Sequence, residues 1–191
     1  MLTDKLISFI LGVIFLLVLA CEGPAAEKDT AEAIPETRTR TLLHEPAFWD
    51  YAASSNMLQV ALGKLAEQKA SSAKLRAMAQ DAVTYHAGAL QQLQQLVSKQ
   101  DNILLPDSLA GADQGLVQEM KLLEGEEFDL RYQEFIISTH NAQLDRYEEA
   151  LVKADDQKIR DWIMDMRSHL REEINAFSKL DSASVAEDAL L

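Results

Sequence analysis

One cysteine, four prolines and seven glycines in 191 residues leave little material for several whole classes of protein. A lone cysteine excludes a disulfide framework and any cysteine-rich zinc or iron–sulfur centre. So few Pro and Gly argue against a turn-rich β-sandwich and against a low-complexity disordered chain. Basic residues are scarce as well, with 18 Lys and Arg against 31 Asp and Glu, a net charge of −13. Such a surface repels phosphate backbones, so no nucleic-acid partner is expected. The sequence also has no Gly-rich phosphate loop, and its Ser54, Ser55, Ser71, Ser72 and Ser182 have ordinary uses as caps, seam positions and tail. What is plentiful is Leu, Ala, Gln and Glu, the material of long helices, in a length that suits one domain with a sizeable core.

The one long apolar run is LISFILGVIFLLVLA, residues 6–20. It falls short of the roughly 20 residues that a membrane span needs, and matches the apolar region of a secretory signal peptide. Cys21 follows directly after Val18-Leu19-Ala20, an arrangement that resembles the lipobox of bacterial lipoproteins, where the signal is cut before a cysteine that is then acylated. The alternative is an uncleaved anchor with an incidental cysteine. Residues 1–20 are therefore expected to be a lipoprotein signal peptide, and 21–43 a lipidated Cys21 followed by a flexible tether. The tether's stretch EGPAAEKDTAEAIPETRTR has almost no large apolar residue and cannot offset the cost of ordering it. Lipidation makes the membrane a partner through Cys21. By lipoprotein sorting rules, Glu22 in the next position favours the outer membrane, facing the periplasm.

From Glu45 onward apolar residues return at helical spacing. Phe48, Ala52, Ser55, Leu58, Leu62 and Leu65 mark a first helix over about 45–69, with Pro46 suited to its first turn. Ser71-Ser72 signals the cap of a second (about 73–99), carrying Leu75, Ala79, Ala82, His86, Ala89, Leu93 and Leu96. Phe128, Tyr132, Phe135, Ile136, His140, Leu144, Tyr147 and Leu151 predict a third (about 126–153). Asp155-Asp156 caps a fourth (about 157–180), whose seam runs Ile159, Trp162, Met166, His169 or Leu170, Glu173 or Ile174, Phe177. The bundle domain spans 44–181, and 182–191 reads as a disordered tail. Second and third helices stand about 25 residues apart, with a short amphipathic piece at 116–123 before Gly125. A connector that long suits an all-α, ferritin-like four-helix bundle with a long crossover between its second and third helices. The other solution is a plain up-down-up-down bundle whose connector caps one end.

Three of the four histidines sit at mid-helix. His140 and His169 are each about 14 residues from the turn at 154/155, and His86 about 15 from the turn near Ser71, so all three fall roughly 21 Å along their helices. The first helix offers Ser55, Asn56 and Gln59 at that level. His86, His140 and His169 are thus candidate ligands of one divalent transition metal, Zn or Fe, with Gln59 and Glu173 as neighbours. The alternative is a hydrogen-bonded polar layer, tied to Gln59, Tyr132 or Tyr147, that fixes helix register. A di-iron oxidase is not expected: Val83, Ile137 and Met166 stand three residues before the histidines, where Glu-x-x-His motifs need Glu.

The segments LQVALGKLAEQKA (58–70), TYHAGALQQL (84–93), LLEGEEFDLRYQEFI (122–136), STHNAQLDRYEEA (138–150) and WIMDMRSHL (162–170) resemble the bacterial domain of unknown function 4142. The resemblance covers about residues 45–180 and implies a ferritin-like fold in a cell-envelope protein, often a lipoprotein. Members usually carry Glu where this chain has Gln59, and Asp where it has Tyr85, so the central layer here is less charged than the pattern implies. Two functions stay open. One is a non-enzymatic binding or structural module acting on an envelope protein partner through its acidic surface. The other is a metal-binding or redox-stress protein using the histidine layer.

Overall fold

The computed structural model describes residues 41–188, with side chains from 41 to 180. The signal-like run, Cys21 and most of the tether lie outside the described residues. Within them the protein is all-α. A 3-10 turn (Leu42–His44) precedes α1 (Pro46–Lys69), α2 (Ala73–Val97), α3 (Gly111–Met120), α4 (Gly125–Lys153) and α5 (Gln157–Asp188). None of these helices is long and apolar enough to cross a membrane.

Local chemistry sets the boundaries. The Ser72 hydroxyl accepts the amide of Leu75 at 3.3 Å and starts α2. Asp156 Oδ1 accepts the amides of Lys158 (2.8 Å) and Ile159 (3.1 Å) and starts α5. Two boundaries differ from the sequence reading. The short connector helix begins at Gly111 rather than near Leu116, because its single buried side chain, Met120, sits at its end and the rest follows with no apolar stripe to announce it. The last helix runs to Asp188, past the point where apolar spacing stops, through a stretch with neither Gly nor Pro.

Side-chain ties fix the helix directions. Lys69 Nζ donates to the carbonyl of Leu123 (3.1 Å) and pairs with Glu124, and Ser71 Oγ donates to Asp129 Oδ2 (2.6 Å). The start of α4 therefore lies beside the α1–α2 turn. At the opposite end, Lys153 pairs with Glu45 at 2.8 Å, joining the end of α4 to the start of α1. The Trp162 indole donates to the carbonyl of Ala89 (3.2 Å), which sets α5 antiparallel along α2. Gln133 Nε2 donates to the carbonyl of Phe177 (3.1 Å), near the far ends of the α4–α5 hairpin. Hence α1 and α5 run one way, α2 and α4 the other, and residues 98–124 carry the chain back from the Val97 end to the Lys69 end. Along that return, Asn102 is tied to the carbonyl of Leu43 (2.7 Å), and α3 packs against α1 and α4.

These contacts explain the motifs that stand out in the sequence. Gly63 lets α1 and α2 close up: a Cβ there would lie 2.6 Å from Val83 Cγ2 and 3.2 Å from the carbonyl of Ala79. Gly125 turns the chain into α4 with φ +58°, which a side chain would resist. Phe128 and Tyr132 are fully buried, and Asp129 also accepts the backbone amides of Ser71 and Ser72, stapling the returning chain to the turn.

The apolar core falls into two parts. One, at the Glu45/Val97 end, contains Leu42, Trp49, Leu93, Tyr147, Trp162 and Leu170. The other, at the Lys69/Gly125 end, contains Leu62, Leu75, Met120, Phe128, Tyr132 and Phe177. Buried polar side chains lie in the band of sequence between them: Ser55, Asn56 and Gln59 on α1, His86 on α2, His140 and Gln143 on α4, and Glu173 on α5.

A candidate metal centre in the polar layer

The rings of His86 and His140 lie 5.8 Å apart, and those of His86 and His169 5.7 Å. Glu173 is their common partner. Its Oε2 is 2.6 Å from His140 Nε2 and 3.2 Å from His86 Nε2, while Oε1 is 3.4 Å from His169 Nε2. His140 is fully buried and Glu173 is 7% exposed, whereas the His169 side chain keeps 20% of its surface. Burial alone would push the Glu173 carboxyl up, but the surrounding imidazoles, His140 foremost through its hydrogen bond, outweigh it and hold the carboxyl well below the usual range.

The tautomer of His86 follows from its other neighbour. Asn56 Nδ2 donates to the carbonyl of Ala52 (2.7 Å), so Asn56 Oδ1 is the atom facing His86 Nδ1, 2.9 Å away. His86 Nδ1 must therefore carry the hydrogen. A neutral His86 then presents a bare Nε2 to a carboxylate oxygen, two lone pairs 3.2 Å apart. A proton or a cation must lie between them. Burial lowers the His86 pKa, with Glu173 opposing, and so disfavours the proton. The buried Nδ1 of His140 and Nε2 of His169 also have no hydrogen-bond partner.

One ligand atom each from His86, His169 and Glu173 lie within 4.8 Å of one another. A tetrahedral set with bonds near 2.1 Å spans about 3.4 Å, so modest inward movement would close the set on a divalent metal. Two imidazoles and a carboxylate suit zinc and ferrous iron. His140 is not part of that group; its bond to Glu173 Oε2 holds the carboxylate in place, as Asn56 orients His86. A cleft of about 160 Å³, lined by Met78, Asp81, His169, Glu172 and Phe177 among others, opens the site to solvent.

Gln59 and Tyr85, also singled out in the sequence, take other hydrogen-bond partners. Gln59 donates to Thr139 Oγ1 (3.5 Å) rather than to a histidine. Tyr85 lies flat on His169, with ring centres 3.3 Å apart and planes 14° from parallel, and its hydroxyl donates to Asp165 Oδ2 (2.9 Å). Burial, followed by that carboxylate, pushes the Tyr85 phenol up, so it stays a donor. The hydrogen-bonded partners of the histidines are thus Asn56 and Glu173, not Gln59 or the tyrosines. The part Glu173 plays was signalled by its helical spacing from His169 and by its place beside Ile174 at the seam.

Fold and site together define a class: an all-α helical bundle protein with a buried histidine–carboxylate cluster able to coordinate a divalent metal. The chain belongs to the family described as domain of unknown function 4142, whose model matches residues 29–180. No curated protein matches it significantly.

Proposed function

We propose that this is a metal-binding protein of the bacterial envelope, holding one divalent transition metal, zinc or iron, between His86, His169 and Glu173. The observation that carries the reading is the pair of lone pairs at His86 Nε2 and Glu173 Oε2, a buried contact that a cation would satisfy. Acidic Asp81 and Glu172 at the mouth of the cleft would attract a hydrated cation. Three protein ligands leave coordination positions open, so the metal, when bound, supplies a Lewis-acid centre. The chain's own residues hold and aim the ligands: Asn56 fixes the tautomer of His86, His140 anchors the carboxylate, and Tyr85 limits the tilt of His169. The opposed directions of α1/α5 and α2/α4, with a return between them, support a ferritin-like four-helix bundle with one crossover. A layer that only fixed helix register would have no need of the unsatisfied lone pairs at His86 Nε2 and Glu173 Oε2.

Zinc and ferrous iron titrations, followed by thermal melting and metal analysis, test this. One equivalent should bind and raise Tm, since a ligand held only by the folded state stabilises it. His169→Ala, at a partly exposed position, should fold and lose that gain. Absence of a Tm shift with zinc, iron, manganese and copper alike would reject the site.

The apolar run at 6–20 followed by Cys21 supports a lipid anchor in the outer membrane, with the bundle in the periplasm. Cys21→Ser should remain an uncleaved, unacylated precursor. Normal lipid labelling of that variant, or recovery of the wild type in the soluble fraction, would sink the anchor.

A further inference from the structure

The cleft that opens the cluster to solvent also restricts what can enter it. Two of the three candidate ligands, His169 and Glu173, stand in its wall, so a further ligand of a metal held there arrives past them. Met78 of α2 and Ala176 and Phe177 of α5 give the cleft an apolar side. The other lining residues, Asp81 and Glu172, are acidic and exposed, and among the described residues no Lys or Arg lines it. Ser168 Oγ donates to Glu172 Oε1 (3.4 Å), which keeps that carboxylate beside the turn carrying His169. A volume of about 160 Å³ has space for roughly five water molecules.

Charge and wall sort the molecules that could enter. The carboxylates of Asp81, Glu172 and Glu173 more than offset the two positive charges of a divalent metal, on a chain of net charge −13. An anion is therefore repelled, and it must also shed water against the apolar side. A protonated amine is attracted, but has no lone pair left to give a metal. An uncharged molecule with a free lone pair meets neither obstacle. Resting on the metal site proposed above, we infer that its open coordination positions are reserved for a small neutral ligand, bound through a nitrogen or oxygen lone pair, with an apolar body that lies against Met78 and Ala176.

The experiment loads the full chain with cobalt(II), whose visible bands report a change of ligand, and titrates it separately with imidazole and with azide at pH 8, where imidazole is mostly neutral. Imidazole should shift the bands saturably and bind about tenfold more tightly than azide. The double variant Asp81→Asn, Glu172→Gln should raise azide affinity roughly tenfold, the factor expected for two charges at the mouth of an open cleft, and leave imidazole within about twofold. Met78→Ser should weaken imidazole roughly threefold with the cobalt still held. Azide bound by the wild type as tightly as imidazole, no gain of azide in the double variant, or full imidazole affinity in Met78→Ser would each overturn the inference while leaving the metal site standing. If no cobalt bands develop, the metal site itself falls, and the inference with it.

Discussion

The two apolar ends of the bundle and the polar layer between them obey different rules. At the ends, large side chains such as Leu62 and Phe128 are held by shape and exclusion from water, and the buried polar bonds are few, such as those of the Trp49 and Trp162 indoles to backbone carbonyls. In the middle, polar groups are matched to particular partners: His86 to Asn56 and Glu173, His140 to Glu173, and Gln59 to Thr139. The ends supply stability at low specificity. The layer supplies specificity at a cost in desolvation, which folding alone does not require.

That contrast can be broken in measured steps. Glu173→Leu should have the largest effect, about 4 kcal/mol in urea unfolding, because the buried His140 N–H loses its acceptor and the polar layer loses the carboxylate it is built around, and metal uptake should vanish with it. A milder result, with metal still bound, would mean that the layer behaves like the ends. Leu62→Ala should cost about 3 kcal/mol by opening a cavity in the end core, with metal uptake intact. The pH response sharpens the difference further. His86 has its pKa lowered from an ordinary 6.5, so the unfolded chain takes up this proton first and stability declines as pH falls below that value. The depressed Glu173 carboxyl adds a second decline below its ordinary 4.5. Urea midpoints measured from pH 8 to 4 should show onset near 6.5 in the wild type, and a later onset in His86→Gln. Smallest is Asp129→Ala, at the rim of the end core, with a loss of about 1.5 kcal/mol from its bonds to Ser71 and Ser72.

Much of the end architecture was legible because helical periodicity reports burial directly. Phe48, Ala52, Leu58 and Leu62 on α1, and Leu75, Ala79, Ala82, Ala89 and Leu93 on α2, occupy the core as their spacing implies. The level of the histidines was legible for a similar reason, since rise per residue counts height from a shared turn. What spacing could not decide was rotation. On α5 the seam admitted Glu173 or Ile174, and hydrophobicity favours the isoleucine, yet the helix is turned so that Glu173 is buried and Ile174 is only partly so. A partner on another helix, here His140 and His86, decides such a choice, and no local pattern carries that information. Gln59 shows the converse: its height placed it with the histidines, while its direction placed it with Thr139. The amphipathic piece in the connector was visible, but its start at Gly111 was not, because α3 buries only Met120.

Height within a helix is an arithmetic quantity, and the stapled turns make it rigid. Inserting one residue between the 154/155 turn and His140 would swing that ring by about 100° and raise it about 1.5 Å, away from Glu173. Three rods are keyed in this way to a single carboxylate, so their lengths up to that point are frozen together. The returning segment between Val97 and Gly125 bears no such key except at its ties, and is where this chain can gain or lose residues without losing its centre.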